Sequence, residues 1–371
     1  MVPDQPQQAL LFMPDISGFT QFVNDTEILH SQQIIQELLE TLIECNQLGL
    51  QVCEIEGDAI FFYKLGTKPD MNALLKQVET MFTRFHQHIR LFEQQRFCPC
   101  AACNSAMNLT LKVFSHFGEV TGISVKDHKK LFGKDVILIH RLMKNNLDKK
   151  EYVLLTDPVV GDSMDPGLPR WYSPQQAVEN YDVGQVQFYF SDLSHLHNEI
   201  PVVTAPKYNT AANTFVAFTL EKTYNVPIKN LFGAIYDLPQ RVYWMDGVKG
   251  IEMVTNDHVH RIGTKHRCIL EKDRPVIVTE SITIGLEKIE LVEMAESGVG
   301  GCHYTVTQIS ENESKLSVDM LVKNNLVMKV MFNTFMKAKH MKSLQKSLEN
   351  LEEYIKRYMA KQPEKEEIIS T

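Results

Sequence analysis

Met13-Pro14-Asp15-Ile16-Ser17-Gly18-Phe19-Thr20 closes the apolar run Ala9 to Met13 and opens a helical pattern. A strand that ends on a carboxylate and turns at a glycine into a helix has a specific chemical use. The carboxylate can hold a divalent cation, and the amides of Ser17, Gly18, Phe19 and Thr20 can face phosphate oxygens. The second decisive stretch is Glu54-Ile55-Glu56-Gly57-Asp58-Ala59-Ile60-Phe61-Phe62, which reads as a hairpin with Gly57-Asp58 at its tip. Two neighbouring strands would set Asp15 beside Asp58, where the pair could hold Mg2+ and align a ribose hydroxyl with an α-phosphate. Singly, Asp-x-Ser-Gly is most often a helix cap and Gly-Asp a turn. Their order, with one long helix between them, is what points to a shared site.

Outward from these stretches, helices are predicted over Gly18 to Leu48, Met71 to Gln95 and Phe132 to Lys144. Strands are predicted at Leu10 to Met13, Asn108 to Phe114, Glu119 to Ile123, Tyr152 to Thr156 and Val186 to Phe190. Strands alternating with amphipathic helices imply an α/β sandwich. A chain of 371 residues exceeds one ordinary core, so two domains are expected. We place the first at 1–193, a Pro- and Asn-containing linker at 194–214, the second domain at 215–360 and a charged tail at 361–371.

The two aspartate stretches, with Lys112-Val113-Phe114-Ser115-His116-Phe117-Gly118-Glu119-Val120 and Leu131-Phe132-Gly133-Lys134-Asp135-Val136 running into Arg141, closely resemble the class III adenylyl and guanylyl cyclase homology domain. The resemblance covers roughly residues 8 to 193 and implies a ferredoxin-like α/β sandwich. It also implies Asp15 and Asp58 as carboxylates for Mg2+ or Mn2+, with the Ile16 carbonyl as a further ligand. Ser17 to Thr20 would cradle the phosphates of a nucleoside triphosphate, and Arg141 would stabilise charge on the transferring group. Family sites form between subunits, so a homodimer is implied.

Departures from the family pattern fall on its base and transition-state parts. The purine-selecting position holds Glu54, the guanine-reading type, but its partner position holds Lys130. Ile137 stands where the family has asparagine, and Asp182-Val183-Gly184-Gln185 lacks the expected triphosphate lysine. The expectation is therefore metal-dependent nucleotide binding with altered catalysis, with an active cyclase or a non-enzymatic dimeric scaffold as alternatives.

From Phe215 to Tyr358 the pattern changes to one strand, a short helix after Pro227, a run of strands and a long final helix. This half resembles the START-like, polyketide-cyclase-like superfamily, which implies a helix-grip fold: an antiparallel sheet wrapped on a C-terminal helix. The whole chain is thus of the α+β class. The resemblance implies a cavity for a small apolar ligand, lined in part by Trp244, Met328, Met331, Phe332 and Phe335, with a filled core as the plain alternative.

Cys98, Cys100 and Cys103 form a Cys-x-Cys-x-x-Cys loop outside the aspartate stretches. Three thiolates could hold Zn2+ with a fourth ligand such as His86 or His88; free thiols and a redox-sensitive pair stay open. Seven cysteines, most of them scattered, make a poor disulfide framework and fit a reducing compartment such as the cytoplasm. A net charge of -8 argues against a nucleic-acid partner, and no apolar run is long enough to span a bilayer.

Overall fold

The structure, a computed structural model, describes residues 3–24, 28–95, 104–126, 128–161, 167–204, 208–254 and 261–359. The chain divides into two compact units, one built from residues up to Gln94 and from 104 to Thr204, the other from Gln95 and residues 208 onward. The first part of the expected linker, 194–204, packs within the first unit, where Leu196 and Ile200 are buried.

The first unit runs β1 (Gln7–Ser17), α1 (Phe19–Asn24), α2 (Ile28–Glu44), β2 (Gln51–Glu56), β3 (Ala59–Leu65), α3 (Met71–Gln95), β4 (Thr110–Val125), β5 (His128–Phe132), α4 (Lys134–Leu142), β6 (Tyr152–Thr156), α5 (Asp157–Val160), β7 (Gln175–Tyr181) and β8 (Gly184–Asp192). Its sheet has the order β2-β3-β1-β4-β6-β8-β7, with β5 paired to β4. Only β4 and β6 run parallel among these pairs. β1 is an interior strand, and both of its faces are dry: Ala9 through Met13 are fully buried. Ala9, Leu11 and Met13 join Leu138, Ile139 and Leu142 of α4 in one core. α3 buries Leu74, Leu75, Val78, Met81, Phe82, Phe85, Ile89 and Phe92, the three- and four-residue spacing of one helix face.

The two strands expected on either side of Gly118 are one continuous strand, β4, pairing with β1 from Thr110 to Val120. Gly118 is not a break but a concession to space, because a side-chain Cβ there would overlap the Asp135 carboxyl group. β7 is an addition to the expected strands. It is a sheet-edge strand of polar sequence, Gln175-Gln176-Ala177-Val178-Glu179-Asn180-Tyr181, and carries little apolar signal.

The second unit runs β9 (Thr214–Tyr224), α6 (Ile228–Tyr236), β10 (Gly250–Met253), β11 (Lys265–Ile269), β12 (Val276–Ile284), β13 (Lys288–Ala295), β14 (Gly300–Ser310), β15 (Glu313–Lys323), α7 (Leu326–Met331), a π turn (Phe332–Met336) and α8 (Lys337–Met359). All pairs of its seven-stranded sheet, β10-β11-β12-β13-β14-β15-β9, are antiparallel. Leu344, Leu348, Leu351 and Ile355 of α8 pack with Leu231 and Ile235 of α6 and with Leu291, Tyr304, Val306, Leu316 and Val318 of the sheet. The chain is therefore a mixed α+β protein with two sheets. No helix among the described residues is long and apolar enough to cross a membrane.

The apolar stripe that the sequence sets along the last helix, Val327, Met331, Phe335, Leu344, Leu348, Leu351 and Ile355, holds only in part. Asn325 caps α7 by accepting from the Met328 amide at 2.7 Å, but Val327 and Phe335 are 74% and 78% exposed. The π turn inserts an extra residue into the helical repeat, so the stripe upstream of it is rotated relative to that of α8.

Candidate metal and phosphate site

Asp15 is placed by register. It lies opposite Ala59 of β3 on one side and Lys112 of β4 on the other. The next residue, Ile16, donates its amide to the Asp58 carbonyl at 3.1 Å, which ties the hairpin tip to the end of β1. Gly57 takes φ +66 at that tip, a left-handed turn that a side chain would strain. The two aspartates that the sequence singled out are thus adjacent.

Their electrostatics are those of a site short of positive charge. Burial, together with the neighbouring Asp58 charge, pushes the Asp15 carboxyl from 3.8 up to about 6, against the opposing pull of Lys112. Burial also raises Asp58. Two carboxylates that resist ionising together are relieved by a divalent cation, and oxygen ligands of this kind suit Mg2+ or Mn2+. Ile16 itself is fully buried in the core.

The four phosphate candidates part company. Ser17 and Gly18 line a cleft of about 720 Å³, and the Ser17 hydroxyl is buried there without a hydrogen-bond partner. Phe19 instead lines an apolar groove with Ile28, Ile35, Leu39, Ile43 and Ile55, and Thr20 is exposed. The cause is that α1 starts at Phe19, after which each residue turns by about 100°. Lys112, Lys149, Lys150 and Arg90 line the same cleft as Ser17 and Gly18. Sequence reading missed these basic residues. Lys112, a cation between Leu111 and Val113 on an interior strand, was the one visible signal.

Glu54 and Lys130 are brought together, Lys130 Nζ donating to both carboxylate oxygens at 2.8 and 3.0 Å. Arg141 meets Asp182 in a two-pronged ion pair, Nε to Oδ1 at 3.1 Å and Nη2 to Oδ2 at 2.8 Å. Ile137 projects from α4 with 47% exposure. Cys98, Cys100 and Cys103 lie outside the described residues. His88, one suggested partner for them, bonds Glu37 at 2.9 Å, and His86 approaches Glu151 at 2.8 Å.

In the second unit the five cavity candidates do not share one enclosure. Trp244 and Phe332 are buried in the packed core and Met328 packs against it, whereas Met331 and Phe335 are open to solvent.

Residues 35–152 match a family model described as a protein of unknown function, DUF2652. Among solved structures, the chain is similar to a bacterial light-regulated adenylyl cyclase (13% identity, 53% of this chain and 97% of that one, TM-score 0.40). It is also similar to the adenylyl cyclase CyaB of P. aeruginosa (14% identity, 50% and 94%, TM-score 0.37). A third is the guanylate cyclase domain of RhGC from Catenaria anguillulae (16% identity, 50% and 97%, TM-score 0.37). An uncharacterized protein of Mycobacterium tuberculosis, Rv2561/Rv2562, is 30% identical over 159 residues, which span 43% of this chain and 73% of that protein. The chain belongs to the same family as this mycobacterial protein.

Proposed function

We propose that the first unit binds a nucleoside triphosphate through Mg2+ or Mn2+ held by Asp15 and Asp58, as a cyclase-like domain whose catalysis is altered. The observation that carries this reading is the adjacency of two carboxylates, one of them raised to about 6 by burial and by its neighbour. When bound, the metal would draw the triphosphate to the end of β1. Ser17 and Gly18 border the nearby cleft, and Lys112, Lys149, Lys150 and Arg90 supply positive charge for the phosphates. Lys112, opposite Asp15 in the register, offsets part of the carboxylate charge.

Weak cyclisation follows from three side chains. The Glu54 carboxylate is engaged by Lys130 rather than open to a guanine edge. Arg141 is engaged by Asp182. Ile137 has no group with which to hydrogen-bond a ribose or a transition state. In the same proposal the second unit is a START-like helix-grip module for a small apolar ligand, and the protein works as a homodimer of signalling type.

The test is incubation of the full-length protein with each nucleoside triphosphate and Mg2+ or Mn2+, beside Asp58→Asn. Metal-dependent binding without product, lost in the variant, is expected. Product formation lost in the variant would make the protein an active cyclase. Absence of both binding and product would leave a scaffold and sink the proposal. Mass spectrometry of material co-purifying with the second unit tests the apolar ligand.

A further inference from the structure

A second cluster of ligand-type side chains lies in the first unit, apart from the aspartate pair. His86 comes from α3, Glu151 from the residue before β6, and His197 from the 3-10 turn Ser194–Asn198 that follows β8. Their ligand atoms all lie within 4.8 Å of one another. His86 Nε2 is 2.8 Å from Glu151 Oε1, and His197 Nε2 is 2.8 Å from Glu151 Oε2. We propose that His86, Glu151 and His197 form a binding site for a divalent transition-metal ion, with Zn2+ or Co2+ as suitable occupants.

Three features support a metal site over a structural hydrogen-bonded trio. First, His86 Nε2 and Glu151 Oε1 are buried and 2.8 Å apart, close enough to pair their charges but without the alignment of a hydrogen bond. Ligand atoms 2.0–2.2 Å from one ion stand about 3 Å apart at a right angle and about 3.4 Å apart at a tetrahedral one, so small shifts would seat it. Second, the rings are fixed. His86 packs against Phe82 and Phe85 at centroid distances of 4.4 and 5.0 Å, and Arg90 holds the His197 carbonyl at 3.0 Å. Third, His86 and His197 both line the basic cleft beside Ser17 and Lys112, while Glu151 is 5% exposed. Three protein ligands leave coordination positions open, and the cleft is where another ligand would enter.

Protonation is also suitable. Burial lowers the His86 pKa despite the opposing Glu151 charge, which favours the neutral ring a metal needs. Burial would raise Glu151, but its contacts with His86 and His197 outweigh that and hold it ionised.

Cobalt separates this site from both the cysteine loop and the aspartate pair. Full-length protein is stripped with chelator and titrated with Co2+, and the visible spectrum is followed. One tightly bound equivalent with nitrogen and oxygen ligation, lacking thiolate-to-cobalt charge transfer, is expected ahead of any weaker uptake by the Asp15 and Asp58 oxygens. His197→Gln alters a partly exposed side chain and should weaken binding by about 100-fold or more, on the scale of losing a direct ligand rather than an outer partner. Glu151→Gln, a near-isosteric change, should do the same, and circular dichroism checks that both variants fold. Serine at Cys98, Cys100 and Cys103 together should leave the spectrum intact, and Asp58→Asn should retain the cobalt. Loss of binding in the serine variant, undiminished binding in folded His197→Gln and Glu151→Gln, or no cobalt uptake at all would overturn the assignment.

Discussion

Asp15 and Glu293 are carboxylates on interior strands of the two sheets, and their surroundings are opposite. Glu293 on β13 is met by both terminal nitrogens of Arg241 at 2.7 and 3.0 Å, and the third nitrogen of that fork, Nε, donates to the Ile235 carbonyl at 3.0 Å. The Arg241 side chain is 1% exposed, and although burial opposes its charge, Glu293 keeps it protonated. Asp15 faces one lysine and a second carboxylate and is driven toward protonation. A compensated carboxylate belongs to the architecture of its unit. An uncompensated one, held at a strand end near a basic cleft, is the feature on which the proposed metal site rests.

The largest effect expected of breaking this contrast is in the second unit. Glu293→Gln leaves Arg241 buried without its counter-charge and should cost about 3–5 kcal/mol of stability, read by chemical denaturation. A loss below about 1 kcal/mol would mean that the guanidinium finds other compensation, and the contrast with Asp15 would fail. Gly118→Ala tests a third carboxylate, Asp135, which accepts from the Glu119 amide at 2.7 Å and lies 3.2 Å from His116. The added methyl overlaps the Asp135 side chain, and overpacking of this kind should cost about 1–3 kcal/mol.

Asp15→Asn should act in the other direction. A carboxyl raised from 3.8 to about 6 contributes stability that is present below the lower value and lost as pH rises through the upper one. At pH 7.5 without divalent metal the asparagine variant should therefore be the more stable by about 1–2 kcal/mol, after allowance for solvent screening. That advantage should vanish near pH 3.8. Mn2+ should stabilise the parent and leave the variant unmoved, so a thermal-shift series in pH and Mn2+ checks both signs. A destabilised variant at pH 7.5 would show that the Asp15 carboxylate is already compensated. The smallest effect belongs to Arg141→Gln, which breaks a surface ion pair with Asp182 and should change stability by about 0–1 kcal/mol. A larger loss would give Arg141 a structural role.

Elements with complete apolar periodicity were legible at their ends. Met71–Gln95 and Tyr152–Thr156 are the bounds expected from the sequence. Elements whose identity depends on neighbours were not. β7 is a strand because β8 supplies its hydrogen bonds, and the π turn changes helical phase where composition is unremarkable to a periodicity count. The aspartate pair was legible because strand, turn and hairpin tip follow one another in a recognisable order. The basic lining of the cleft was not, because Arg90, Lys112 and Lys149 come from separate parts of the chain.

By itself the sequence determined the α+β class, the helices and strands with strong periodicity, and the order of motifs that singles out Asp15 and Asp58. These are set by local spacing and by the chemistry of short motifs. Tertiary structure alone decided which charges are neutralised: Lys130 by Glu54, Arg141 by Asp182, Arg241 by Glu293. It also decided that His86, Glu151 and His197 meet at all. Electrostatic energy and metal coordination depend on distances of a few ångströms, and folding creates those distances between residues that no sequence interval connects.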